Sequence, residues 1–268
     1  MEATDTTTGC LSLCRALKYN KRAAMDRINR LNPLLEVLKS SPERVGKIFI
    51  QKERGPHRIG EIIREARARG VPFLFIPKQK LDQLAPHHQG VLAEISAKEF
   101  LSLEDILAGA GRPFLVFLDE IEDPQNLGAI IRSAAGAGVD GVILPERRSA
   151  GLTDVVATVS AGALEHVKVA RVPNLVRAMG ETKEKGVWLV GADGSAPGLW
   201  YDFDYTVPVG IVLGSEGRGL RPLVRKTCDR LLSIPLAGVV QSLNVASAAS
   251  VFLFEVVRQR RAARNAAR

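Results

Sequence analysis

The residues of this 268-residue chain best equipped for chemistry lie between Ile211 and Asn244. Gly214, Gly217 and Gly219 follow the apolar run Val209 to Leu213, and glycines so placed give a sharp, bare turn that a ligand can approach closely. Glu216 stands inside that turn. A second loop follows the next apolar run, Leu231 to Pro235, and ends in Gln241, Ser242, Leu243 and Asn244 before a helix that begins near Val245. Two such loops at strand ends predict one pocket, because ligands of open α/β sheets sit outside the carboxyl ends of the strands. Taken singly, Ser242 and Asn244 read as ordinary helix caps. Two other chemistries are set aside by spacing. G-S-E-G-R-G lacks the G-x-G-x-x-G of a dinucleotide oxidoreductase, and no Lys-Ser or Lys-Thr pair closes a phosphate loop. Earlier in the chain, Asn126 at a helix start and Arg132 nearly two turns on can border the same crevice; the plainer reading is a cap and a surface arginine.

The elements that must hold these residues are legible as alternating patterns. Helical spacing covers Leu31, Leu34, Leu35 and Leu38; a strand follows at Lys47 to Ile50, then a helix with Ile59, Ile62, Ile63 and Ala66 on one face, ended by Gly70. Strands at Val71 to Ile76 and Val91 to Ile95, with a short helix at Leu81 to Leu84, complete a small α/β domain over residues 27–97. His87, His88 and Gln89 lie in its last loop, where they reach a base or sugar edge or simply pack the turn. A linker is expected over 98–113, one short helix followed by a Gly-rich connection at the domain boundary. Beyond it, Phe114 to Leu118, Val142 to Leu144, Val167 to Val169 and Val187 to Val190 alternate with helices, which predicts a mostly parallel, covered sheet over 114–268. Residues 1–26 read as a basic, mobile arm.

Charge divides unevenly along the chain. Net charge is +8, made of +3 over residues 1–30, +4 over 31–100, −4 over 101–257 and +5 over the last eleven residues, which hold five arginines and no acid. Basic front and tail segments around a slightly acidic body suit a protein that grips a polyanion with one region and does chemistry with another. No apolar run reaches membrane-spanning length, so a soluble protein with no membrane partner is expected. Glu2, Asp5 and Arg15 argue against a signal peptide. Cys10, Cys14 and Cys228 are too few for a disulfide framework and, like the four histidines, are not spaced as a metal site, which points to a reducing cytoplasm and no metal.

Three ordered segments carry a family resemblance: D-P-Q-N-L-G-A-I-I-R, L-G-S-E-G-R-G-L and I-P-L-A-G-V-V-Q-S-L-N-V-A-S-A. Together they resemble the motifs of the SpoU-type RNA ribose 2'-O-methyltransferases over roughly residues 114–260. N-P-L-L-E-V-L-K, R-V-G-K-I-F-I and H-H-Q-G-V-L-A-E-I are similar to the substrate-binding domain of the RlmB-like branch, which acts on a guanosine ribose of 23S rRNA. Related branches acting on tRNA or other rRNA sites share that domain, and a non-catalytic RNA-binding module for ribosome assembly is the alternative from another class. The resemblance implies a deep trefoil knot, a homodimer in which motif residues of one subunit face the cofactor of the other, and S-adenosylmethionine held at Gly214, Ile234 and Leu243. It also implies that Asn126, Arg132, Glu216, Ser242 and Asn244 form the catalytic set.

Such a transfer is an in-line displacement in which a weakly acidic 2'-hydroxyl loses its proton, so positioning and charge stabilisation are the main tasks. Arginine is nearly always protonated, and stabilising the forming alkoxide suits Arg132 better than acting as a literal base. Arg132→Ala is therefore expected to bind S-adenosylmethionine normally while methyl incorporation into RNA is abolished; near-normal turnover in that variant removes the role.

Overall fold

The computed structural model describes residues 25–52, 58–109 and 111–267. The expected arm before Met25, with Cys10 and Cys14, lies outside the described residues, as does His57. The chain opens with β1 (Met25–Ile28), α1 (Leu31–Ser40), β2 (Val45–Gln51), α2 (Ile59–Ala68), β3 (Phe73–Ile76), α3 (Lys78–Leu84) and β4 (Val91–Ser96). These strands form a four-stranded sheet in the order β1-β4-β2-β3, with β2 and β3 parallel and the other pairs antiparallel. Ile48 and Ile50 of β2 face Leu34 and Leu38 of α1 and Ile62 of α2, so the apolar stripes seen in the sequence close on one another. Strand β1 begins at Met25, inside the segment expected to be a mobile arm, because Met25 to Ile28 pairs with Ser96 to Ala93.

The larger sheet follows α4 (Leu103–Ala108). Its elements are β5 (Phe114–Asp119), α5 (Pro124–Ala137), β6 (Gly141–Pro145), α6 (Asp154–Val159), β7 (Val169–Val172), α7 (Leu175–Glu184), β8 (Trp188–Ala192), β9 (Gly198–Leu199), β10 (Val209–Gly214), α8 (Pro222–Thr227), β11 (Arg230–Ser233) and α9 (Val245–Ala266). Among the described residues seven strands run in the order β7-β6-β5-β10-β8-β11-β9, every pair parallel. Strand β5 is buried at every position, as a strand covered on both faces must be. On one face α5 and α9 pack with Leu127, Ile131, Phe252 and Leu253; on the other α4, α7 and α8 pack with Ile106, Met179 and Val224.

Three readings are refined here. The short helix expected within 98–113 is α4, and the stretch is packed and not a free connection: Leu101 bridges Ala170, and Leu103, Ile106 and Leu107 join the large core. The last arginines belong to the helix expected from Val245. Helix α9 is continuous to Ala266, Arg258 pairs with Glu255, and Arg260 donates to the carbonyls of Tyr205 and Val207 while lying over the Phe114 ring. Of the two readings left open for the loop before β4, His88 and Gln89 follow the one in which they hold the turn. Gly90 N donates to His88 Nδ1, Asp82 meets His88 Nε2 at 2.9 Å, and Gln89 Oε1 accepts from Leu31 N, an orphan donor at the start of α1.

The two sheets are joined by an ionic seam. Arg44 pairs with Glu165, whose side chain is 3% exposed, and also donates to the Ser96 carbonyl. Lys98 donates to the Leu164 carbonyl, and burial lowers its pKa. Glu36 of α1 meets His166 at 2.8 Å, over Gly162, where any Cβ would come within 2.6 Å of the Glu36 side chain. Removing one member of a buried pair strands the other's charge in a medium that solvates it poorly. Arg44→Ala is expected to lower unfolding stability in urea by about 3 kcal/mol, and an unchanged midpoint overturns this account of the seam.

Candidate active site at the carboxyl ends of the parallel strands

Strand β10 sits at the centre of the large sheet, and its carboxyl end is where the glycine turn begins. Gly219 N donates to Ser215 O at 2.9 Å, closing the turn, and Gly217 and Gly219 adopt φ values of +79° and +66°. A Cβ at Gly214 would lie 2.2 Å from the Gly219 carbonyl carbon, so the turn folds against a position that tolerates no side chain. This packing pushes Glu216 outward, toward the start of α9.

There the Glu216 carboxylate gathers three donors on one oxygen. Asn126 Nδ2 donates to Oε1 at 3.0 Å, Asn244 Nδ2 at 2.6 Å and Val245 N at 3.4 Å. Asn244 Nδ2 also reaches Asn126 Oδ1 at 2.9 Å. Asn244 caps α9, its Oδ1 accepting from Ala246 N and Ser247 N. The capping reading of Asn244 therefore holds, and the same side chain also belongs to the polar cluster. A carboxylate at the amino end of a long helix is favoured by the helix dipole as well as by these bonds. Asn126 is the third residue of α5; the cap is Asp123, whose carboxylate accepts from Gln125 N.

A cleft of about 1010 Å³ opens beside this cluster, bordered by the ends of β8, β10 and β11 and by residues 240–245. Gly214, Ile234, Ser242 and Leu243 line it together with Glu216 and Asn244. The charged side chains in its lining are Asp193 and Glu216, both acids. Arg132 stands apart: it is exposed, does not line the cleft, and has no hydrogen-bond or ion-pair partner among the described residues. Six residues along a helix rotate a side chain by about 600°, which turns Arg132 away from the face that carries Asn126.

Two features escaped the sequence reading. Asp119, fully buried at the end of β5, accepts from Arg221 N at 2.8 Å and from Arg221 Nε at 2.7 Å. This pair fastens the exit of the glycine turn to the neighbouring strand, and no local pattern joins residues so far apart in sequence. Asp193 follows β8 and accepts from Ser195 N, Ser195 Oγ and Arg225 Nε. An Asp-Gly pair directly after an apolar strand was the available signal. Cys228, by contrast, is pushed up to about 12 by burial and neighbouring carboxylates, which leaves it a protonated thiol without a role in the chemistry. No group of three or more potential metal ligands occurs among the described residues.

The profile of the SpoU rRNA methylase family matches residues 113–254, and that of the RNA 2'-O ribose methyltransferase substrate-binding domain matches residues 31–101. The chain belongs to the SpoU rRNA methylase family. It is 44% identical over 230 residues to the 23S rRNA (guanosine-2'-O-)-methyltransferase RlmB of Shewanella oneidensis, covering 84% of this chain and 94% of that protein. The enzyme of the same name from Haemophilus influenzae is 40% identical over 241 residues, covering 88% and 98%. Among solved structures, the SpoU methyltransferase AviRb from Streptomyces viridochromogenes superposes with a TM-score of 0.76 at 28% identity, covering 89% of this chain and 91% of that one. Its complex with AdoMet superposes with a TM-score of 0.75.

The Asp119–Arg221 clasp yields a direct test. Arg221→Ala leaves a buried carboxylate with the residue-221 amide but without its counter-ion, and is expected to cost about 3 kcal/mol in urea unfolding, together with weakened S-adenosylhomocysteine binding in calorimetry. Full stability in that variant shows the clasp to be dispensable.

Proposed function

We propose that this protein transfers a methyl group from S-adenosylmethionine to a ribose 2'-hydroxyl of RNA, with a guanosine of 23S ribosomal RNA as the target. The observation that carries the reading is the cleft. It lies outside the carboxyl ends of parallel strands, its charged lining is purely acidic, and its rim holds Glu216 and Asn244, which are hydrogen-bonded to Asn126 behind them. Its volume is at the upper end of that of small-molecule sites. S-adenosylmethionine, when bound, supplies a methyl group activated on a positively charged sulfur, and an acidic lining suits that charge.

Gly214 would offer bare backbone to this cofactor, while Ile234 and Leu243 would pack its flat or apolar parts. Glu216 holds Asn126 and Asn244 in fixed orientation, and Ser242 stands on the exposed side of the cleft, where an incoming ribose can be met. Family membership and the names of the relatives support RNA as substrate and the guanosine 2'-oxygen as acceptor. The small front domain matches an RNA substrate-binding profile and carries a net positive charge, which suits it to hold the RNA. Ribosomal RNA as substrate supports a cytoplasmic location, and no helix among the described residues is long and apolar enough to cross a membrane.

Two further readings complete the proposal. The segment after β11 passes through the β10 turn to reach α9, forming a deep trefoil knot. In support, Asn244 lies between Glu216 and Asn126, although β11 lies beyond β8, on the far side of β10 from β5. The active form is a homodimer in which Arg132 of each subunit serves the cleft of the other. Its support is the exposed, unpaired position of Arg132, on a helix packed against the α9 that bears exposed Phe254. Arg132 would then stabilise the alkoxide as it forms at the ribose oxygen.

Incubation with tritiated S-adenosylmethionine and unmethylated 23S rRNA is expected to label one guanosine at its 2'-oxygen; label on a base, or on tRNA alone, overturns the assignment. Equal mixing of inactive Arg132→Ala and Asn244→Ala subunits is expected to restore about a quarter of wild-type activity, since half of the dimers then hold one intact composite site. No recovery rules out sharing between subunits.

A further inference from the structure

Asp193 is the one carboxylate of the cleft lining that the Asn126–Glu216–Asn244 cluster does not use. Its position follows from strand order. Strand β8 lies between β10 and β11, so the residue after β8 sits between the two loops that border the cleft, the turn after Gly214 and the segment around Ile234. A nucleoside spanning those loops must pass over the end of β8.

The side chain is rigidly held there. Oδ1 accepts from Ser195 N at 2.8 Å and from Ser195 Oγ at 2.6 Å, while Oδ2 accepts from Arg225 Nε at 2.6 Å. Arg225 also reaches Ser195 Oγ at 3.3 Å, bracing the group from behind. Partial burial works against ionisation, but the hydrogen bonds from Ser195 and the Arg225 guanidinium outweigh it and keep the carboxyl below its ordinary range. The group is thus an anion near neutrality. An ionised carboxylate offers about four acceptor positions; with three donors engaged, Oδ2 retains one. It has no proton to donate, so what it can recognise is a hydroxyl or an amine. Glu216 is committed through Oε1 to three donors at the start of α9 and α5.

We infer that Asp193 is a positioning residue for the methyl donor, accepting a hydrogen bond from a ribose hydroxyl of its adenosine moiety. The inference rests on the proposed cofactor reading and deepens it. A carboxylate at a strand end that receives ribose hydroxyls is a recurrent solution in nucleotide-binding α/β sheets. Here it would fix the rotation of the adenosine, and through it the direction in which the sulfur presents its substituents. Ser195 and Arg225 serve by holding the acceptor still.

The test is a cycle of side-chain and ligand deletions read by calorimetry on the full chain. S-adenosylhomocysteine and its 2',3'-dideoxy analogue are titrated into wild type, Asp193→Ala and Asp193→Asn. A lost hydrogen bond to a charged group corresponds to an affinity loss of about 10- to 100-fold. Asp193→Ala is expected to bind S-adenosylhomocysteine weaker by that factor, Asp193→Asn by less, and both variants are expected to bind the dideoxy analogue as wild type does. Unchanged binding of the analogue also verifies an intact cleft. Equal weakening of both ligands, or of neither, overturns the inference and leaves the cofactor reading standing. Failure of wild type to bind S-adenosylhomocysteine overturns both.

Discussion

A single carboxylate oxygen ties the site together. Glu216 Oε1 takes hydrogen bonds from the third residue of α5, from the cap of α9 and from the first backbone amide of α9, so two segments widely separated in sequence converge on one atom of a third. Such an arrangement is stable because each partner needs it. The amide at the start of α9 has no intrahelical acceptor, the two asparagine side chains would otherwise face each other imperfectly, and the carboxylate gains from the positive end of the helix. The glycine turn exists to deliver that carboxylate. Its bare backbone folds so tightly against Gly214 that Glu216 can only project away from the sheet.

The same turn is held from its far side by Asp119 and Arg221. Anions therefore fasten both ends of the loop that borders the cleft, one to a guanidinium and one to amides. The lining that results carries carboxylates without cations, while basic side chains such as Arg132 and Arg218 are exposed outside it. This separation matches the chemistry proposed: a positively charged donor favours the acidic cleft, and a polyanionic substrate favours the basic surroundings. The front domain, docked through Arg44 and Glu165, extends those basic surroundings from a fixed position.

Much of the architecture was legible because burial imposes a period. The leucines of α1, the isoleucines of α2 and the continuous apolar runs of β5 and β10 each repeat with the spacing their covered faces require. The reading faltered where local pattern and tertiary role part company. Strand β1 lies in a basic segment and exists because β4 offers it an edge. Helix α6 was hidden in a weakly patterned stretch, being six residues long with two of them buried. Residues 98–113 resembled a linker by their glycines, yet their leucines and Ile106 complete the large core.

By itself the sequence determined the α/β class, the mostly parallel character of the large sheet, the bareness of the turn after β10 and, through three ordered motifs, the family. It also named Asn126, Glu216 and Asn244, and singled out Gly214, Ile234, Ser242 and Leu243. Only the tertiary structure decided that the first three share a hydrogen-bonded cluster, that the other four border one cleft with Glu216 and Asn244, and that Arg132 faces elsewhere. It alone revealed the Asp119–Arg221 clasp and the placing of Asp193 between two loops. The physical reason is the same in each case. Periodicity reports which face of an element is buried, whereas contact between elements depends on how the strands are ordered in the sheet, and that order is set by packing the whole chain at once.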